Sequence, residues 1–445
     1  MRQKISSILL RRNNKEKRII AHIDMNSYFA TVEQQARPSL RGKPIGVSGK
    51  NDSRSIVAAA SVEAKKRGVK TAMSIPMARR ICPEIIIVPG DMARYEYVTK
   101  KFIKIFINYT PEVEIFSVDE AFLELSHSLG RHAEFISASD RQNKKILNQV
   151  QDDGYQGARK IAIEIKQRIK QEIGEWITCS VGIGPNKMIA KLASDKQKPD
   201  GLVVVKPQEV KKFMKTVELT DICGIASRIE RRLNMLSIRT TRDLANFSQK
   251  ILIYEFGLYG HLLKMWGRGE DPSPIIPYYL EEKPRSIGHS YTLPKDTYDP
   301  REIRRYLYLI ADKVGRRTRK QNYAGRVINL YIRFYDFTGL YKVKTIQYPV
   351  SDSYEIYKIC RTILESIEYL KAVRMIGVSL SGLIKKENTT RSLIPLRQKI
   401  EKSLFAQDKI NNRYGEMVIT RAEFLNFDLK ERVGGFLSKE NLEIK

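Results

Sequence analysis

The sequence predicts a mixed α+β chain of several domains, containing two separate units with the order β-α-β-β-α-β. Three observations lead there. Short runs with period-two alternation mark strands, stripes of apolar residues at i, i+3 and i+4 mark helices, and the same element order occurs on both sides of a stretch of short helices. At 445 residues the chain is also too long for one hydrophobic core.

In the first unit, Ile19 to Asp24 (IIAHID) reads as a buried strand ending on a carboxylate, and Asn26 to Gln35 turns helical with Tyr28, Val32 and Phe29 on its apolar side. Val113 to Leu125 reads as a hairpin. A helix follows from Ala158 to Ile173, with isoleucines at 161, 165, 169 and 173 and a stop at Gly174, and Ile177 to Ile183 is the closing strand. In this topology the third strand lies between the first two, antiparallel to the first, so the hairpin turn falls beside the end of strand one. Asp24, Asp119 and Glu120 are therefore expected to converge, although almost a hundred residues separate them. Three such carboxylates, with the Met25 carbonyl as a further oxygen donor, can hold two Mg²⁺ ions roughly 3.5 to 4 Å apart, the clamp used for in-line nucleotidyl transfer. An acidic turn standing alone is as well explained by solvation; it is the pairing with Asp24 that favours a metal site.

The formal net charge is +29, from 79 Lys and Arg against 50 Asp and Glu, which points to a polyanionic partner, nucleic acid before a membrane surface. No apolar run reaches the length of a membrane-spanning helix, and the apolar patch near the start is too short for a signal peptide. Cys82, Cys179, Cys223 and Cys360 are isolated in sequence, as expected of reduced thiols in a cytoplasmic protein.

Between these landmarks, residues 1–17 read as a basic tail and Pro38 to Gly90 as a small inserted lobe, with a strand at Pro44 to Val47 and a helix through AAASVEAKKRG ending on Gly68. Arg54, Lys65, Lys66 and Arg67 make this lobe basic, either toward phosphates or as a solvated face. Phe29 is placed to point at the sugar of a bound nucleotide, where its bulk would exclude a 2′-hydroxyl; taken alone it would be a core residue. Gly182, Gly184 and Pro185 read as a tight turn before a helix carrying Lys187 and Lys191, suited to a triphosphate and also compatible with an ordinary Asn186 cap. From Pro207 to Pro274 short helices predominate. The segment around Gly224 has the shape of a helix-hairpin-helix that offers backbone N–H groups to a DNA phosphate, with Ala226 standing where a second glycine would be expected. Beyond a Pro-rich linker, residues 275–285, the second unit alternates Ile328, Leu330, Ile332 and Phe334 with Asn329, Tyr331 and Arg333, so that Arg333, Lys342 and Lys344 are expected on a basic sheet face against DNA. Residues 385–445 have helical patches without an evident core, and their SLIPL and SLFAQ pieces are short enough for a partner's groove.

The stretches HIDMNSYFATVEQ, FSVDEAFLEL, SVGIGPNKMIAKLASDKQKPDG and SIGHSYTLPKDT resemble, in order, the motifs of the Y-family (translesion) DNA polymerases, most closely the DinB branch. The resemblance covers roughly Ile19 to Leu383. It implies a right hand: a palm (18–37 and 91–206), fingers (38–90), a helical thumb (207–274) and a little finger (286–384) that grips DNA. It further implies Asp24, Asp119 and Glu120 as metal ligands, Phe29 as steric gate with Tyr28 beside it on the substrate side, and Lys187 and Lys65 as triphosphate contacts. The implied partners are primer-template DNA, a dNTP and the replication sliding clamp, with the polymerase itself a monomer.

Three departures accompany the resemblance. Val62 stands where the finger helix usually carries a tyrosine, and Lys65 replaces an arginine and its bidentate geometry. Residues 131–153 form an insertion, tolerable because loop-closure entropy grows slowly with length. A clear clamp-binding peptide is missing near the end. Two rivals follow: a catalytically weakened DNA-binding protein of the same fold, and a nucleotide cyclase on a related palm.

Overall fold

The structure, a computed structural model, describes residues 18–49, 54–126, 154–280, 283–368, 371–388, 395–415 and 418–424. The expected tail at 1–17 and insertion at 131–153 lie outside the described residues. The chain divides near residue 281 into two compact units.

The first unit is built on strand β1 (Ile20–Met25) and helix α1 (Tyr28–Ala36). A small lobe follows, made of β2 (Ile45–Ser48), β3 (Ala59–Ala60), α2 (Val62–Lys66), α3 (Ile75–Ile81) and β4 (Ile86–Pro89). The helix expected through residues 58–68 is thus a single turn, because Ala59 and Ala60 pair with β2 and the Ser61 hydroxyl caps the helix at the Ala64 N–H. Next come α4 (Met92–Ile107), β5 (Val113–Ile115), β6 (Glu120–Glu124), α5 (Gly154–Glu172), β7 (Cys179–Gly184), α6 (Lys187–Lys196) and β8 (Leu202–Val204). The main sheet has the order β5-β6-β1-β7-β8, which is the expected ferredoxin-like arrangement with one additional strand on its edge. Strand β6 lies beside β1 and antiparallel to it, as its position in the topology requires.

Period two decides what each face of this sheet does. Ala21, Ile23 and Met25, with Ala121, Leu123, Val181 and Ile183, point into one core, covered by α1, α4 and α5. The alternate residues, Ile20, His22 and Asp24 on β1 and Glu120 and Phe122 on β6, point to the other side, where α6 packs. Gly182 belongs to β7 rather than to a turn. A Cβ there would lie 2.1 Å from the Ala190 carbonyl oxygen and 2.2 Å from the Ser194 nitrogen, so only glycine lets α6 come this close to the sheet.

Short helices follow, α7 (Val210–Met214), α8 (Ser227–Met235), α9 (Thr241–Asn246), α10 (Gln249–Phe256) and α11 (Tyr259–Gly267), around a core of their own. The hairpin before α8 is preceded by one 3-10 turn, Leu219–Asp221, instead of a full helix. Gly224 has φ +110° and supplies the left-handed residue, whereas Ala226 sits at φ −89° and needs no glycine. The expected linker is partly docked: the Ile276 N–H donates to Glu114 at 2.8 Å and the Tyr278 N–H to the Val113 carbonyl at 2.8 Å, so this segment runs along the β5 edge.

The second unit has the expected order of elements. Strand β9 (Ser286–Thr297), α12 (Pro300–Lys320), β10 (Tyr323–Phe334), β11 (Gly339–Val350), α13 (Ser353–Glu365) and β12 (Val373–Lys385) form an antiparallel sheet of order β11-β10-β12-β9. A further helix, α14 (Pro395–Tyr414), incorporates SLFAQ and is clipped to α12 by Asp408, which receives two hydrogen bonds from Arg319 at 2.6 and 2.7 Å. Beyond it the Phe424 ring stacks on Tyr308 at 3.6 Å, so the C-terminal extension does have a core contact. One expectation fails by register. Lys342 pairs with Leu330 and Lys344 with Ile328, and directly opposed residues share a face, so both lysines rise from the core side of the protruding β11 edge. Arg333, paired with Gly339, belongs to the opposite face with Tyr331 and Asn329.

Candidate active site

Asp24 is the cross-strand partner of Glu120, and the Met25 N–H donates to the Asp119 carbonyl at 2.9 Å, so the acidic turn is stitched to the end of β1. All three carboxyl-bearing residues therefore meet at one corner of the sheet. Their side chains are differently held. Glu120 accepts from His22 Nε2 at 3.0 Å and from the Lys191 ammonium, and Asp24 accepts from Lys198 at 2.8 Å. Asp119 has the Ser117 hydroxyl. Among the described residues no three His, Cys, Asp or Glu side chains are gathered tightly enough to enclose an ion, and Asp24 and Glu120 are each paired with a lysine.

The electrostatics separate the three. Burial pushes the Asp119 carboxyl above the usual carboxylate range, and the negative charges of Asp24 and Glu120 push it further. For Glu120 burial acts in the same upward direction, yet the His22 hydrogen bond and the Lys191 charge prevail and hold it down at about 2. Burial keeps His22 below the ordinary histidine value against the pull of Glu120. Lysines already meet Glu120 and Asp24 at this corner, whereas Asp119 is held by the Ser117 hydroxyl; the donors present, carboxylates and a backbone carbonyl, are hard oxygens of the kind Mg²⁺ takes. The donor set fits a divalent ion.

The remaining expected residues divide. The Phe29 ring, in the first turn of α1, is half-buried and stacks on Tyr95 at 4.2 Å. Lys65 is exposed. Its ammonium is held below the ordinary lysine value first by desolvation and next by the charge of Lys198, while Asp24 and Asp119 pull the other way, which ties it electrostatically to the corner. Tyr28, in contrast, is 3 % exposed, and its hydroxyl is spent on the Tyr95 carbonyl and the Thr99 hydroxyl. Its side chain is part of the core and offers a substrate nothing. Lys187 is likewise occupied: both Glu114 oxygens accept from it at 2.7 Å, so it fastens the start of α6 to β5.

Lys198 is the residue that sequence reasoning missed. Nothing in KQKPDG distinguishes this lysine from its neighbours. It is aimed by the turn that follows, where the Asp200 N–H donates to Asn26 at 2.8 Å and Lys166 and Lys170 grip the Asp200 carboxylate at 2.7 and 2.8 Å. Asp24 and Asp195 hold its ammonium above the ordinary lysine value in spite of burial.

The chain is a member of the impB/mucB/samB family: the family's sequence pattern matches residues 23–195, and that of its C-terminal domain matches residues 284–393. Relatives bear the name DNA polymerase IV. That of Pelotomaculum thermopropionicum is 38% identical over 401 residues, covering 90% of this chain and 93% of the relative. The one from Moorella thermoacetica is 36% identical, covering 90% and 94%. Among solved structures, the Y-family DNA polymerase chimera Dbh-Dpo4(243-245)-Dbh matches with a TM-score of 0.69 at 28% identity, covering 82% of this chain and 99% of that one. The resemblance to the Y-family polymerases drawn from the motifs is thereby borne out.

Proposed function

We propose that the corner formed by Asp24, Asp119 and Glu120 is where this chain, a translesion DNA polymerase by its family, joins a dNTP to a primer 3′-hydroxyl under the direction of a template. The observation that carries the proposal is the β1–β6 register, which makes Asp24 the partner of Glu120 and ties Met25 to Asp119.

The family implies a divalent metal cofactor. In our proposal it is a pair of Mg²⁺ ions held by Asp24, Asp119, Glu120 and the Met25 carbonyl. When bound, such ions stabilise the charge that develops on the transferring phosphoryl group. The chain's own residues do the rest. Phe29, braced by Tyr95, presents an aromatic edge to the sugar and discriminates by bulk. Lys65 and Lys198 supply positive charge for the triphosphate, and positioning with electrostatics leaves no need for a dedicated side-chain base. Gly224 and the outer sheet face carrying Arg333 are proposed contacts to the DNA backbone, with Lys342 and Lys344 reaching it only from the β11 edge. Recruitment by a sliding clamp, a monomeric state and a cytoplasmic location rest on the family resemblance. No described helix is long and apolar enough to cross a membrane.

A purely DNA-binding role is not favoured, because relatives matched over nine-tenths of this chain bear the name DNA polymerase IV. Primer extension with Mg²⁺ and dNTPs on undamaged and damaged templates tests the proposal. Template-matched incorporation is expected; binding of primer-template without incorporation would overturn it.

A further inference from the structure

His22 is unusual for an imidazole: it is 0 % exposed, lies on β1 two residues before Asp24, and faces the same side of the sheet. Its Nε2 lies 3.0 Å from Glu120 Oε2 and its Nδ1 2.8 Å from the Ser194 hydroxyl. A carboxylate can only accept, so Nε2 carries the proton toward Glu120, while Nδ1 shares a hydrogen bond with the Ser194 hydroxyl, whose oxygen also lies 2.7 Å from the Lys191 carbonyl oxygen. Lys191 donates to the same Glu120 oxygen, Oε2. Both donors thus engage one oxygen, and among the described residues no hydrogen bond reaches Oε1.

Aromatic rings wall this cradle. Phe122 lies 4.6 Å from the imidazole, and the Lys191 ammonium lies over the Phe116 ring at 5.2 Å. Its depth depends on α6, because Ser194 and Lys191 reach the sheet only where Gly182 lets the helix backbone approach.

We infer that His22, braced by Ser194, is the positioning residue of Glu120. With Lys191 it locks Oε2, so that Glu120 offers Oε1 alone to a metal ion, in a fixed orientation. The inference rests on the proposed metal site. It adds a supporting shell to that site, and partners of this kind tune metal affinity about 10- to 100-fold in other proteins.

The test uses the full-length protein bound to primer-template and a non-hydrolysable dNTP, with Mn²⁺ binding read directly by electron paramagnetic resonance. His22→Leu removes the donor and keeps an apolar filler; His22→Gln keeps an N–H at nearly the same reach. The expected result is a weakening of Mn²⁺ binding by about tenfold or more in His22→Leu, with recovery to within about threefold of wild type in His22→Gln. The Mg²⁺ concentration for half-maximal insertion should move in parallel. Equal Mn²⁺ affinity in His22→Leu and wild type would overturn the inference, and so would equal weakening in Leu and Gln, which marks a packing role. Should His22→Leu not fold, Ser194→Ala takes its place: a several-fold weakening is expected, and wild-type affinity overturns the inference. Glu120→Gln separates the two levels. If it too binds Mn²⁺ normally, the metal site itself is wrongly assigned; if it alone loses Mn²⁺, only the positioning role falls.

Discussion

Individual side chains at the corner carry opposite perturbations, and this has a measurable pH signature. Glu120 ionises near 2 in the folded protein against an ordinary value of 4.5, so its pairing with His22 and Lys191 stabilises the fold fully above the ordinary value and is lost as pH falls from about 4.5 toward 2. The difference in unfolding free energy between wild type and Glu120→Gln should therefore be largest near neutrality and shrink across that acid window, as followed by urea unfolding at stepped pH. A constant difference would show that Glu120 is not held by charge. Phe29 makes a second residue-scale prediction. Its ring is fixed by stacking on Tyr95, so Phe29→Ala should raise ribonucleotide use relative to deoxynucleotide by at least about tenfold, a difference of one bulky group. Unchanged sugar discrimination in competing insertion assays would place the gate elsewhere.

At the scale of elements, the hairpin before α8 depends on one backbone conformation. Gly224 sits at φ +110°, and a Cβ there would come within 2.6 Å of the Tyr259 hydroxyl, which also donates to the Gly224 carbonyl. Gly224→Ala should cost about 1–3 kcal/mol and weaken DNA binding, whereas Ala226→Gly, at an ordinary φ, should do little; thermal unfolding of the two variants checks this. The elements also show what was legible in the sequence. Both β-α-β-β-α-β units were, because alternation such as Ile328, Leu330 and Ile332 marks strand faces; the strand order was not, since the same order of elements puts the third strand beside the first in β5-β6-β1-β7 and at the edge in β11-β10-β12-β9. Helix α4 was overlooked although Tyr95, Val98, Phe102 and Phe106 recur at helical spacing, since its many aromatic and β-branched residues also suit a strand. Strand β8 is three residues long, too short for any periodic signal. The placement of Lys342 and Lys344 needed the register with β10, and the anchoring of α14 needed Arg319 to meet Asp408, neither of which local pattern encodes. Lys187 and Lys198 show the same limit at the site: which lysine reaches the carboxylates is decided by Glu114 and by the Asp200 turn.

For the molecule as a whole, the charge of +29 and the acidic corner have separable roles. Affinity for a nucleic-acid backbone arises from many dispersed cations and the counterions they displace, so it does not depend on three carboxylates. Removing a negative charge from so basic a chain should leave DNA affinity intact or slightly stronger, while chemistry at the corner should vanish. The most direct measurement is single-turnover insertion of one dNTP by Asp24→Asn, Asp119→Asn and Glu120→Gln, alongside primer-template affinity by fluorescence anisotropy at fixed salt. Each variant should bind DNA at least as tightly as wild type and insert more slowly by about a thousandfold or more. Insertion by any of the three at close to the wild-type rate would contradict the claim that these carboxylates together form the metal-binding centre.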